Sequence, residues 1–145
     1  MKTIETQITI PASISQVWSV LMDHKSYSDW NPFISKIAGE TTPGNALDVT
    51  ILPEIDRPMH FKPIVLLNDL EQEFRWKGKL WIKGVFDGEH YFILKSKGNQ
   101  TLLTHGEHFS GILSGLLFQM IGKNTEQGFK AMNQALYNEV LKRKS

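Results

Sequence analysis

The chain has 145 residues, 41% of them hydrophobic and 21% charged, which suits one soluble domain spanning residues 1–145 with a single core. A net charge of +1 with no basic stripe argues against nucleic acid as a partner. The absence of cysteine excludes disulfides, thiolate nucleophiles and Cys-based zinc sites. It is also typical of a cytoplasmic protein, and the alternating, polar start at 1–11 does not read as a signal peptide.

Residues 3–10 alternate. Ile4, Ile8 and Ile10 lie on one side and Glu5, Gln7 and Thr9 on the other, which predicts a half-buried strand ended by Pro11. Ser13 and Gln16 have the spacing of a capping box. Ile14, Val17, Trp18 and Leu21 follow at helical intervals, so a short amphipathic helix is expected over 14–22. Residues 23–30 form a second short helix or a turn. Asn31-Pro32 stops it, because the residue before a proline avoids the α region. Asp23, His24 and Asp29 sit beside this turn and receive no chemical role.

Strands are predicted at 33–38, 47–51, 59–67, 74–82, 90–95 and 101–109, separated by turns or loops. Pro63 inside the third marks an edge or a bulge. Residues 97–100 (KGNQ) read as a hairpin turn, with Gly98 and Asn99 able to take positive φ. Residues 113–142 carry Phe118, Ile121, Thr125, Phe129, Met132, Leu136 and Val140 three or four apart. This is one long helix, about 45 Å at 1.5 Å per residue. Lys142, Arg143 and Lys144 suit its negative end. Gly115, Gly122 and Gly128 weaken its first half by up to about 1 kcal/mol each. The order predicts an α+β fold. A continuous curved antiparallel sheet of about six or seven strands wraps around a long C-terminal helix, with two short helices after the first strand and an interior space between sheet and helix.

The tripeptide Gly88-Glu89-His90 returns as Gly106-Glu107-His108. A two- or four-residue hairpin loop pairs His90 with Glu107, Phe92 with His105 and Leu94 with Leu103, and paired residues share a face. His90, Phe92, Leu94, Leu103, His105, Glu107 and Phe109 then line one side. Glu89, Tyr91, Ile93, Lys95, Leu102, Thr104 and His108 line the other. Only the first side lacks lysine, so it is taken as interior; a one-residue slip would exchange the partners and void the assignment.

Two histidines and a carboxylate on an apolar wall admit four uses. They can anchor a ligand hydroxyl or carbonyl. Glu107 with His90 or His105 can act as an acid–base pair, as an aldol-type cyclisation requires. They can form a satisfied structural hydrogen bond. Formally they also match a two-histidine, one-carboxylate metal set, but the spacing is loose, and no metal is expected.

Among the aromatic residues, Trp18 reads as packing, and Trp30, Pro32 and Phe33 form the corner where the chain enters the sheet. Phe74, Trp76, Gly78 and Leu80 give one strand an apolar face. Arg75, Lys77 and Lys79 point the other way as solvated charges. Trp81 falls on that polar face and hints at a partner surface or a membrane. The run at 109–122 is too short to span a bilayer. Its apolar residues Ile112, Leu113, Leu116, Leu117, Phe118, Met120 and Ile121 go nearly all round. They imply packing in the domain or across a homodimer, or at most transient membrane contact during ligand pickup.

These motifs carry a resemblance. V-W-x-V-L-x(5)-Y-x-x-W-N-P-F at 17–33, F-R-W-K-G at 74–78, F-D-G-E-H-Y-F at 86–92, L-T-H-G-E-H-F-S-G-I-L at 103–113 and G-F-K-A-M-N-Q-A-L at 128–136 resemble the SRPBCC superfamily. These are the START-like, helix-grip proteins that include polyketide cyclase/dehydrase-type domains. The resemblance implies a deep hydrophobic cavity between sheet and C-terminal helix, a small hydrophobic ligand and no cofactor. Some members are enzymes and others are protein-binding activators of an Hsp90 ATPase, so it leaves open whether a reaction is catalysed. The residues expected to line the ligand are Trp30, Phe33, Trp76, His90, Phe92, His105, Glu107, Phe109, Phe118, Phe129 and Met132. The catalytic candidates are Glu107, His90 and His105.

Overall fold

The structure, a computed structural model, describes residues 2–52, 58–79, 87–111 and 114–144, with the backbone alone at 117, 120 and 121. Alternation decides the first element. In β1 (Lys2–Ile10), Ile4, Thr6 and Ile10 are buried while Glu5, Gln7 and Thr9 face solvent. Helix α1 (Ile14–Leu21) starts at the expected capping box. Ser13 Oγ accepts from the Gln16 amide at 3.2 Å, and Gln16 Oε1 accepts from the Ser13 amide at 2.9 Å. Its buried face is Val17, Trp18, Val20 and Leu21. A 3-10 turn at His24–Ser26 leads into the short α2 (Tyr27–Trp30). Asn31 is extended, as a residue before proline must be, and ends that helix. Its side-chain oxygen accepts from the amides of Phe33 and Ile34 at 2.9 and 2.8 Å, turning the chain into the sheet.

The strands that follow are β2 (Ile34–Ala38), β3 (Asp48–Ile51), β4 (Met59–Phe61), β5 (Ile64–Asp69), β6 (Glu73–Lys79), β7 (Asp87–Lys97) and β8 (Gln100–Ser110). Among the described residues there are eight strands in two antiparallel sheets, not six or seven in one. One sheet runs β1-β8-β7-β6-β5 and the other β2-β3-β4. The division falls at Pro63. The strand expected over 59–67 is two strands in different sheets, because proline brings no N–H to a ladder. The sheets remain joined across the break. The Leu47 amide donates to the Pro63 carbonyl at 2.8 Å, the Val65 amide donates to Asn45 at 2.9 Å, and Ala46 bridges Ile64. Trp81, Leu80, Ile112 and Leu113 lie outside the described residues, as does most of the loop expected at 53–58.

Helix α3 (Ser114–Lys144) runs unbroken across β1 and β8 and against α1. Phe129, Met132, Leu136 and Val140 are buried, as their spacing predicts. Gly128 serves packing. A Cβ there would stand 2.5 Å from the Phe33 ring, so glycine lets Phe33 lie on the helix and meet Phe129 edge to face, 5.4 Å between centroids. At the far end Arg143 pairs with Glu139 and Asp23 at 2.8 and 3.0 Å, tying the helix to the segment after α1.

The outer face of the five-stranded sheet is less open than its sequence suggests. Tyr91 points outward but is buried, lying over Gly106. Its hydroxyl donates to Glu5 at 2.6 Å, and the Arg75 guanidinium sits 4.6 Å above its ring. Arg75 is therefore half-buried and paired with Glu73 and Glu89, each at 2.7 Å, not a freely solvated charge. A Cβ on Gly106 would lie 2.5 Å from the Tyr91 ring and 2.8 Å from the Ile4 carbonyl oxygen. Gly106→Ala is expected to lower stability by about 1–3 kcal/mol in urea denaturation, the usual cost of overpacking. Gly115→Ala, in the first turn of α3 where a Cβ meets nothing within 4 Å, is expected to raise stability by up to about 1 kcal/mol in the same measurement.

Candidate functional site

The site is built by the β7–β8 hairpin. Its turn is two residues long, and Gly98 alone takes positive φ, at 62°. The register follows from it: His90 opposes Glu107, Phe92 opposes His105 and Leu94 opposes Leu103, as the sequence predicts. Extended to the neighbouring strands, this lays side chains in rows on the inner face. One row is Trp76, His90, Glu107 and Ile4. The next is Phe74, Phe92, His105 and Thr6. On the other side of the first lies Gly78, Gly88 and Phe109.

The first two rows meet α3 in a continuous hydrogen-bonded chain. Glu107 Oε1 lies 2.9 Å from His90 Nδ1, and His90 Nε2 lies 2.7 Å from His105 Nε2. His105 Nδ1 reaches Asn133 Oδ1 on α3 at 2.8 Å. Asn133 Nδ2 donates to Thr6 Oγ1 at 2.8 Å, and the Thr6 hydroxyl donates to the His105 carbonyl at 2.9 Å. Aromatic rings enclose the chain. His90 stacks on Trp76 with centroids 4.9 Å apart, and His105 stacks on Phe129 at 4.3 Å. His90, His105, Asn133 and Thr6 are buried, while Glu107 keeps 14% of its side-chain surface. Its second oxygen lies over Gly88, where a Cβ would stand 2.0 Å away.

Burial dominates the electrostatics. It lowers His90 to about 3 and His105 well below 6.5, the second helped by the neighbouring His90 and opposed by its hydrogen bond to Asn133. Burial raises Glu107 to about 8, against a small downward pull from His108. The three groups are therefore neutral together near pH 7. A neutral carboxyl beside a neutral imidazole can donate, accept or hand over one proton.

Two members of the chain, Asn133 and Thr6, were not singled out from sequence. Both had a signal. Asn133 lies four residues after Phe129 and three before Leu136, on the helix's apolar stripe. Thr6 lies between Ile4 and Ile8 on the inner face of β1. A polar residue at such a position needs a buried partner.

The other expected site residues fall as follows. Phe33, Trp76, Phe92, Phe109, Phe129 and Met132 are buried in the core. Phe118 is half-buried and meets Phe109 edge to face at 5.9 Å. Trp30 is half-buried at the α2 corner, its indole N–H donating to Ser26 at 3.0 Å, and Pro32 is exposed. The two Gly-Glu-His copies are inequivalent. Glu89 turns outward to Arg75, and His108 turns outward to Thr3 at 2.9 Å. The facing histidines direct their Nε2 atoms at each other, and among the described residues no group of three His, Asp or Glu is placed to hold a metal ion. His24 lies against Tyr27 and Phe74, and burial lowers it to about 4 with Asp23 opposing. A separate open groove of about 310 Å³ runs between α1 and the end of α3, lined by Ser15, Gln16, Ser19, Val20, Val140, Arg143 and Lys144. No helix among the described residues is long and apolar enough to cross a membrane.

A curved antiparallel wall with a long helix across it is the helix-grip class of architecture. Residues 1–143 match the family described as polyketide cyclase / dehydrase and lipid transport, and the chain belongs to that family. Among solved structures it is similar to the ZhuI aromatase/cyclase from Streptomyces sp. R1128, with a TM-score of 0.80 and 17% identity over 99% of this chain and 96% of that one. Norcoclaurine synthase from Thalictrum flavum, in complex with dopamine and hydroxybenzaldehyde, gives 0.74 and 19% over 99% and 88%. A START superfamily protein from Mycobacterium smegmatis gives 0.75 and 16% over 97% of each chain. No curated protein matches it in sequence.

The shifted groups set a pH dependence of folding. Between about 4.5 and 8 folded Glu107 keeps a proton that the unfolded chain has lost, so its contribution to stability falls as pH rises. Below 6.5 the unfolded chain takes up protons that folded His24, His90 and His105 refuse, so their contribution falls as pH drops. Where the two windows overlap, three histidines outweigh one carboxyl. Urea midpoints are expected to peak near pH 6.5 and to decline toward pH 8. In Glu107→Gln the alkaline decline should vanish while the acid limb persists.

Proposed function

We propose that the protein binds a small hydrophobic molecule between the five-stranded sheet and α3, with Glu107, His90 and His105 as its polar anchor. The observation that carries this reading is Glu107 itself. It projects from an apolar wall, retains 14% of its side-chain surface and folds one oxygen back over Gly88. A carboxyl among aromatic rings costs free energy that an apolar side chain would not, and its shifted pKa in such surroundings is a mark of binding and catalytic sites. Trp76, Phe92, Phe109, Phe118, Phe129 and Met132 are the apolar wall of this reading, with Trp30 and Phe33 at its corner. The family's description as cyclase, dehydrase and lipid transport lends it support, as do the two phenols bound by norcoclaurine synthase.

Native mass spectrometry of gently extracted protein is expected to reveal an added small apolar compound. Calorimetric titration of the emptied protein with naphthalene derivatives is expected to saturate at one site. Folded protein that carries no added mass and takes up none of these probes would end the reading.

A second reading, a cyclase- or dehydratase-like enzyme, draws on the Glu107–His90 pair. Its one shared proton, with Glu107 raised to about 8, suits abstraction and return of a substrate proton. On this reading Glu107→Gln lowers turnover by at least about a hundredfold while product affinity changes far less. Unchanged turnover in that variant would leave binding as the site's role.

A further inference from the structure

The hydrogen-bonded chain through the site has a direction, legible from its inner end. A backbone carbonyl only accepts, so the Thr6 hydroxyl gives its one proton to the His105 carbonyl. That hydroxyl therefore accepts from Asn133, and the Asn133 atom facing it is the amide nitrogen. The amide oxygen is then the atom 2.8 Å from His105 Nδ1, so Nδ1 carries a hydrogen. A neutral His105 has no second one, and its Nε2 is a bare lone pair. His90 Nε2, 2.7 Å away, must donate to it. One proton remains for His90 Nδ1 and Glu107 Oε1 to share across 2.9 Å. With that proton on the carboxyl the pair is neutral, and with it on the imidazole the pair is ionic. In both arrangements Glu107 Oε2, the terminal atom of the chain, carries no hydrogen.

We propose that this one-way chain fixes Glu107 Oε2 as a hydrogen-bond acceptor, so that the site selects apolar molecules presenting a hydroxyl group over molecules of the same shape presenting an ether oxygen. The inference deepens the ligand-binding reading and rests on it. The polarity of the chain rests on the hydrogen-bond geometry together with a neutral His105, which its burial favours. Asn133 and Thr6 touch no ligand in this account. They are positioning residues that set the tautomer of His105 and, through it, the state of the atom at the far end. A glutamine at 107 would preserve the pattern, its N–H donating to His90 Nδ1 and its oxygen taking the place of Oε2. A leucine would not.

The test compares 2-naphthol with 2-methoxynaphthalene by isothermal titration calorimetry. On the wild-type protein the naphthol is expected to bind about tenfold more tightly, the worth of one well-made hydrogen bond. The preference should survive in Glu107→Gln and shrink to less than about twofold in Glu107→Leu. Equal affinity for the two probes in the wild-type protein overturns the selection rule while leaving ligand binding intact. So does a preference that disappears in Glu107→Gln. Failure of both probes to bind folded protein overturns the ligand-binding reading itself. Ring nitrogen shifts in 15N NMR test the chain without any ligand. Hydrogen on His105 Nδ1 and His90 Nε2 is expected, and the opposite tautomer on His105 overturns the polarity. If Glu107→Leu fails to fold, the wild-type and glutamine titrations with the nitrogen shifts still decide the matter.

Discussion

A two-residue turn at Gly98 and Asn99 holds the eleven residues of β7 against the eleven of β8 in one register, and the interior is a consequence of that register. A slip of one residue would turn one strand over against the other, bringing Glu89 and Tyr91 inward opposite His105 and Glu107 while His90 and Phe92 were exposed, or His108 inward while His105 and Glu107 were exposed. Both faces resist the slip. Inside, Phe92 lies across from His105 and His90 from Glu107. Outside, Tyr91 lies over Gly106, which has no side chain to obstruct it. The turn glycine sets the start of the ladder, and the packing on each face holds it along its length.

Within that register the polar chain survives because every member has a partner. An unsatisfied buried donor or acceptor costs about 1–3 kcal/mol, so a half-made network would be worse than an apolar core. Five side chains from β1, β7, β8 and α3 complete it, and the rings of Trp76 and Phe129 lie against it on opposite histidines. Neutrality is the second condition. An isolated charge in this place would cost far more than a missing hydrogen bond, which is why burial moves all three titratable groups toward their uncharged forms.

The glycines show how backbone space is shared out. Gly128 admits Phe33 to the surface of α3, Gly106 admits Tyr91 to the outer face, and Gly88 admits the Glu107 carboxyl to the inner one. From sequence, Gly128 reads as a weak point in a helix. In the folded chain it is a contact point between the helix and the corner at Asn31-Pro32. The difference lies in Phe33, ninety-five positions earlier in the chain, whose approach no local pattern encodes.

Local periodicity made much of the molecule legible. Alternation identified the inner faces of β1, β7 and β8. The capping box at Ser13 located the first helix, and the three-and-four spacing from Phe118 to Val140 located the last. The hairpin turn was enough to pair His90 with Glu107. Pro63 signalled a disturbance, but the two halves of its strand join different sheets because their hydrogen-bond partners lie far off in the chain. Arg75 and Tyr91 were placed on the correct face without their burial, since the cover comes from Glu5, Glu73 and Glu89 on three strands. By itself the sequence determined which residues point inward, because that depends on a period of two or of 3.6 and on one turn. Tertiary structure alone decided what those residues do to one another. Asn133 meets Thr6 across 127 positions and His105 across 28, and the direction of the proton chain exists only once α3 has come to rest on the sheet.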